Sequence, residues 1–435
     1  MEYIIAVIFL IIALLALLGL GVWVGLSLLG TGMVAILLFT DLNFGDAMAT
    51  TIWSHSATWS LTSLPLFIWM GEILFRSKLS ENLFTGLSPW LRRLPGGLLH
   101  VNILGCATFA ALSGSSAATL TTVGKMTIPE LKKHGYPAPL ALGSLAGAGT
   151  VGLLIPPSIT LIVYGVTVEE SIGRLFIAGV IPGLMLSLLF SGYIFCWGLL
   201  TPEGRSLRGG RATIAEKIRG LVNLLPVILL IGAVIGSIFF GIASPIEASA
   251  VGVIGALALS CFQGSLSVKI LIQSLDGTVQ VMSMIMLLIA GSSFLALAMA
   301  FTGLPGDLAR WIGAMNLSPV MLIAVLTIFY LFLGMFLDGF SMILLTMAIL
   351  EPMLRSAGID MIWFGVFIVL VSEMALLTPP IGFNLFLVDA MSGAGIGAVS
   401  RAAFPMFLLM LAAVVILVLF PSLALWLPEL MTAST

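Results

Sequence analysis

The sequence predicts an all-α polytopic membrane protein. It is an inverted repeat of two halves, each with five membrane spans plus a re-entrant hairpin, and each with a broken helix. Three observations carry this reading. The first is composition. The chain has 435 residues, of which 60% are hydrophobic and only 8% charged, whereas a soluble domain has about a quarter charged. Mean hydropathy is +1.22. The second is a pair of interruptions in apolar sequence, at Ser113-Gly114-Ser115-Ser116 and from Gly152 to Ser158 through Pro156 and Pro157. Two consecutive prolines remove two backbone donors and push the preceding residues out of α geometry. Irregular backbone at membrane depth is tolerated only where protein buries it or it lines a cavity. The third is recurrence. Pro129, Gly135, Pro156 and Pro157 return as Pro352, Gly358, Pro379 and Pro380, each 223 positions on. Such an offset is the mark of a duplicated transporter fold with its site at the repeat interface.

In chain order, apolar runs predict helices at 3–18 and 22–40, a loop from Asp41 to Trp59, and a third helix at 60–75. Residues 76–97, with Trp90, Arg92 and Arg93, read as an amphipathic interfacial segment. The run 98–112 is about 22 Å long as a helix, short of a hydrocarbon core of about 30 Å, so 98–133 reads as a re-entrant hairpin. A broken helix follows at 138–166, then a helix at 172–199 and a polar loop at 201–220. This closes the first half, 1–220. The second half, 221–435, repeats the order: helices at 222–241, 247–263 and 273–301, and an interfacial piece around Asp307, Arg310 and Trp311. A hairpin at 319–356, a broken helix at 360–390 and a last helix at 402–427 complete it.

Five spans per half is odd, so the halves are inverted. With the loop 201–220 in the cytoplasm, thirteen of the 17 Lys and Arg residues fall on that side and three on the other. Both termini then face outward. The N-terminal run lacks a basic leader and reads as the first helix, not a cleaved signal. Net charge is −2, so nothing points to nucleic acid. Cys106, Cys196 and Cys261 read as packing residues, and the three histidines show no metal spacing. No P-loop is present: Gly124-Lys125 is followed by Met126.

The chemistry is expected where each hairpin tip meets the following break. Breaks expose carbonyls, which suit a hard cation, and helix N-termini, which suit a carboxylate. Ser115, Ser116, Ser158, Asp338 and Asn384 are the candidates for substrate. Ser113, Ser115 and Ser116 have a plainer reading as caps of the returning arm. Asp338 reads as an N-cap or as a carrier of a proton or cation. Glu373, which falls on Thr150 under the offset, lines a cavity or makes a buried hydrogen bond. Glu72 reads as structural, and Glu247 as a carboxylate at a helix start.

The residues then match a known family. Leu112-Ser113-Gly114-Ser115-Ser116-Ala117-Ala118-Thr119, Ile128-Pro129-Glu130-Leu131 through Tyr136, and Gly152 to Ser158 resemble the large membrane subunit of TRAP (tripartite ATP-independent periplasmic) transporters. So do Leu333-Gly334-Met335-Phe336-Leu337-Asp338 and Leu377-Thr378-Pro379-Pro380 through Phe386. The resemblance covers nearly the whole chain. It implies an elevator-type, Na⁺-driven importer of a small carboxylate (a dicarboxylate, sugar acid or 2-oxo acid) in the bacterial inner membrane. It implies a periplasmic substrate-binding protein, a separate small four-helix membrane subunit, and no cofactor beyond Na⁺ as coupling ion. Carried onto this sequence, one Na⁺ would sit at Ser113, Gly152, Ile155 and Pro157, and a second at Gly334, Ala375, Thr378 and Ile381. Glu373 departs from the residue the resemblance leads one to expect. The alternative is a stand-alone cation-coupled carboxylate symporter. An intramembrane aspartyl protease would need a carboxylate pair sharing a proton. Asp338 and Glu373 are the only near pair, and neither has a Gly-x-Gly-Asp setting, so the chain reads as no enzyme.

Overall fold

A computed structural model of the chain describes residues 2–432 except 41–42, 78, 208–209, 211, 303–305, 307–309, 311–317, 336 and 380–381. Among the described residues every regular element is a helix, with no strand. In chain order, α1 is Glu2–Gly19, α2 Val24–Phe39, α3 Phe44–Ser56, α4 Ser63–Phe75 and α5 Leu79–Leu91. Then come α6 (Leu99–Ser113), α7 (Ser116–Lys133), α8 (Ala138–Thr150), α9 (Ile159–Thr167) and α10 (Ile172–Leu200). After a short α11 (Pro202–Ser206) follow α12 (Ile214–Phe239), α13 (Pro245–Phe262) and α14 (Val268–Thr302). The chain ends with α15 (Pro319–Leu333), α16 (Gly339–Ser356), α17 (Met361–Ala375), α18 (Phe383–Ser392), α19 (Ile396–Leu419) and α20 (Ser422–Thr432).

Six of these helices are long and apolar enough to cross a membrane. Many carry large apolar side chains on their outward faces, such as Leu188, Leu229, Ile254 and Val279. Water would not favour that surface; lipid would. The protein is therefore a multi-pass membrane protein.

Three predicted boundaries change. The supposed loop 41–59 holds α3, whose start is fixed by the Asn43 side chain accepting from Gly45 N, with Asp46 in the first turn. The supposed loop 201–220 is shorter. The Thr213–Glu216 capping box starts α12 at Ile214. The last helix is two, because Pro421 follows the end of α19 at Leu419. Asp307 and Trp311 lie outside the described residues.

The amphipathic segment holds α5, which is tied to the start of α12. Arg92 pairs with Glu216 at 2.7 Å, and Lys217 stands 5.2 Å over the Trp90 ring. Glu247 closes a capping box with Ser244 at the start of α13, as its position suggested.

Two packing groups position the site. In one, α2 and α3 lie along α14, α4 against α13 and α14, and α5 against α12. In the other, α9, α10, α15, α16, α19 and α20 pack around α17, every residue of which is buried, while α6, α7 and α8 pack on one another and α8 on α19. Helix α4 touches α6 and α9, and α14 touches α16, so the two groups meet beside the turn between α6 and α7. Within the second group Asn102 pins α6 to α8, its amide donating to Ala141 O (3.1 Å) and Ser144 Oγ (2.9 Å). Asn102→Ala leaves buried groups unpaired and is expected to cost about 1–3 kcal/mol, read as a lower melting temperature of the detergent-purified chain.

Candidate functional site: the hairpin tips and helix breaks

The turn between α6 and α7 is made by Gly114, whose φ of 57° is left-handed and suits glycine. Ser115 caps α7 by accepting from Ala118 N (3.4 Å). Ser113 Oγ bonds Thr119 Oγ1 at 2.9 Å. The break between α8 and α9 comes up against this turn. A Cβ on Gly114 would lie 3.1 Å from Pro157 O, and one on Gly152 would lie 3.6 Å from both the Ser116 Cα and Thr119 Oγ1. Ser113, Gly152 and Pro157 therefore converge. Ile155 belongs to the same break, half-buried, with its side chain against Gly183 of α10. Ser158 is fully buried and caps α9 through Leu161 N (3.3 Å). Thr119 was not read from the sequence as a site residue. Its signal was its place three residues after Ser116, on the same helical face.

The second tip is arranged similarly. Gly334 follows α15, and a Cβ on it would lie 2.4 Å from the Ala375 Cβ and 3.5 Å from Met342 Sδ. Thr378 Oγ1 donates to Ala375 O at 2.6 Å. A Cβ on Gly382 would lie 2.7 Å from Leu376 O and 2.9 Å from Thr378 O, so the glycine lets both carbonyls close in. Gly334, Ala375 and Thr378 are together. Ile381 lies outside the described residues. Asp338 is exposed and caps α16, accepting from Phe340 N (3.3 Å) and from Ser341 Oγ (2.5 Å).

Between the two tips, Ser116 Oγ donates to Gly149 O (2.9 Å) and accepts from Asn384 Nδ2 (3.2 Å). Both side chains are buried. The first turn is thereby joined to the second break. Glu373, fully buried in α17, interacts with the Ser116 side chain but outside hydrogen-bonding geometry, so neither of its oxygens has a partner.

A cavity of about 160 Å³ opens beside the first turn, lined by Ser113 and Ser115, by Gly71 and Glu72 of α4, and by Phe340 of α16. It brings both tips to the face where the two packing groups meet. Glu72 is tied to Arg76 at 2.7 Å, a structural pairing. Asp338 and Asn384 do not line the cavity; the first caps a helix and the second joins the two halves.

Residues 11–423 match the family model of the DctM component of the tripartite ATP-independent periplasmic transporters. The chain belongs to the TRAP transporter large-permease family. One relative is a C4-dicarboxylate TRAP transporter large permease protein from Pseudomonas aeruginosa, 32% identical over 92% of this chain and 93% of its own. Another is a sialic acid TRAP transporter large permease protein from Vibrio cholerae, 30% identical over 96% of this chain and 97% of its own. Among solved structures, the Alcanivorax borkumensis YdaH transporter is similar in fold, with a TM-score of 0.65 at 16% identity. That match covers 93% of this chain and 96% of the other. These TRAP relatives are permeases, not enzymes, and this chain is a TRAP large permease.

Proposed function

We propose that this TRAP permease is the Na⁺-coupled large subunit of an importer for a small carboxylate: a dicarboxylate, sugar acid or 2-oxo acid. A periplasmic binding protein delivers the substrate, and a separate small four-helix subunit completes the membrane part. The chain sits in the bacterial inner membrane with both termini periplasmic. The observation that carries the proposal is the meeting of each helical turn with a broken helix. At the first, the bonded Ser113 and Thr119 hydroxyls and the Pro157 carbonyl come together beside Gly114 and Gly152. At the second, the carbonyls of Leu376 and Thr378 close on Gly382, and Ala375, whose carbonyl accepts from Thr378, packs on Gly334. Neutral oxygens in such number, close to fixed helix ends, suit a dehydrated hard cation. The N-termini of α7 and α16 leave positive dipole ends toward a carboxylate.

Several features support an inverted repeat moving as an elevator. Helix α7 (Ser116–Lys133) and helix α16 (Gly339–Ser356) lie 223 positions apart at both ends. Gly135 and Gly358, also 223 apart, both have positive φ, 75° and 72°. The boundary between packing groups runs past the cavity, where a sliding surface would have to lie. Two Na⁺ ions suffice energetically. Each is worth about 2.3 kcal/mol per 100 mV and about 1.4 kcal/mol per tenfold gradient. Together they give roughly 7 kcal/mol before the charge of the substrate is subtracted. The names of the relatives, C4-dicarboxylate and sialic acid, are of carboxylates, which supports the substrate class.

Hydrogen–deuterium exchange tests the cation sites. Replacing K⁺ by Na⁺ is expected to slow exchange at residues 113–119 and 151–158 and at 334–342 and 375–378, with little change in α12 and α13. Identical exchange in the two salts would rule out Na⁺ at the breaks.

A further inference from the structure

The two proposed Na⁺ sites leave one charge unexplained. Glu373 sits in the middle of the packed group, at 0% exposure, with both carboxylate oxygens unpartnered. An isolated carboxylate in such a place costs several kcal/mol or more. No hydrogen bond of good geometry reaches either oxygen. The single Ser116 hydroxyl proton goes to Gly149 O, and the Asn384 amide already donates to Ser116 Oγ. Asn384 Oδ1 stands 3.5 Å from Ser116 Oγ and adds another acceptor. The Ser116 hydroxyl, the Gly149 carbonyl and the Asn384 amide are joined in one buried cluster, and a cation held there would give the Glu373 carboxylate the partner it lacks.

We infer that Glu373, Ser116, Gly149 and Asn384 form a third, central site for a monovalent cation, Na⁺. The inference rests on the Na⁺-coupled reading above and adds an ion to it. The site occurs once. At the offset of 223 positions, Glu373 answers to Thr150, Ser116 to Gly339 and Asn384 to Leu161. Thr150 is satisfied by Gly147 O at 2.6 Å, and that counterpart set has neither carboxylate nor amide. Geometry alone does not demand a charge at this position of the fold, so the carboxylate serves something else. The ligands come from the first turn, the first break and both arms of the second break. A cation here closes all of them into one unit, and pairing it with Glu373 brings the local charge to zero, which lowers the cost of carrying the group through a membrane.

The test uses the full chain with its small subunit. Radioactive Na⁺ binding is measured at equilibrium in a choline background for wild type, Glu373→Gln, and Ser116→Ala with Asn384→Ala. Glutamine keeps the shape and removes the charge, and the double alanine variant keeps Glu373 in place should Glu373→Gln fail to fold. The expected result is one Na⁺ fewer per chain in Glu373→Gln. In the double alanine variant, the Na⁺ concentration filling that last site rises roughly tenfold or more. A wild type that binds Na⁺ and variants that bind the same number with the same half-saturation would overturn this site alone. So would a variant series in which Na⁺ binding is unchanged and only proton release differs. A wild type that binds no Na⁺ would overturn both this site and the coupling reading.

Discussion

Gly334→Ala raises the half-saturating Na⁺ concentration for uptake at least tenfold, and Gly334→Ala combined with Ala375→Gly restores most of it. The added Cβ would lie 2.4 Å from the Ala375 Cβ, far inside van der Waals contact. Overpacking of this kind costs about 1–3 kcal/mol, and tenfold in affinity is about 1.4 kcal/mol. The strain falls on the residue whose carbonyl accepts from Thr378 Oγ1, so it is transmitted to the break and not only to the core. Removing the methyl on the other side relieves it, which makes the pair a double-mutant cycle with a strong coupling term. Uptake measured against Na⁺, with melting curves of the same preparations, separates the cases. If only the melting temperature moves and half-saturation stays, Gly334 is a packing residue and the second site is elsewhere.

Gly71→Ala stops uptake while leaving the folded protein about as stable as wild type. A Cβ on Gly71 would lie 2.6 Å from Leu112 O and 3.2 Å from Ser113 Cα. Those are backbone atoms and cannot rotate away. Gly71 belongs to the group containing α13 and α14, whereas Leu112 and Ser113 end at the turn of the other group. If the two groups slide past one another, the clash exists in this arrangement alone. The mobile group then escapes it by shifting, at little cost in stability, but cannot return. Uptake falls to background and the melting temperature changes by no more than a few degrees. A parallel loss of both would show that the two groups form one rigid core.

Much of this was readable in the sequence because Pro and Gly act locally. Pro156, Pro157, Gly114 and Gly135 fix the backbone wherever they stand, so the turn, the breaks and the 223-residue recurrence needed no tertiary information. Ser113, Gly152 and Pro157, and Gly334, Ala375 and Thr378, do come together. Helix α3 was passed over because its sequence is weakly apolar; Asn43 and Asp46, its cap and first-turn acid, were the signals available. The start of α12 was likewise marked by Thr213 and Glu216 but outweighed by the basic residues around them. Asp338, read both as an N-cap and as a candidate for substrate, and Ser158, read as a candidate for substrate, cap helices. Their chemistry serves the local backbone in a way that looks the same in sequence. Glu373 could not be decided from sequence at all. Its burial, its lack of partners and its meeting with Ser116 and Asn384 depend on residues 257 and 268 positions from the first turn, and only folding brings them together.

This chain is proposed to drive carboxylate entry with Na⁺ and to take its cargo from a binding protein. The most direct measurement is uptake of a radiolabelled panel of dicarboxylates, sugar acids and 2-oxo acids into proteoliposomes holding the chain and its small subunit. The binding protein and an inward Na⁺ gradient are each supplied or withheld. Accumulation of one carboxylate only when both are supplied is the predicted result. Accumulation without the binding protein would place the chain with stand-alone symporters, and accumulation indifferent to Na⁺ would contradict the cation sites on which the account is built.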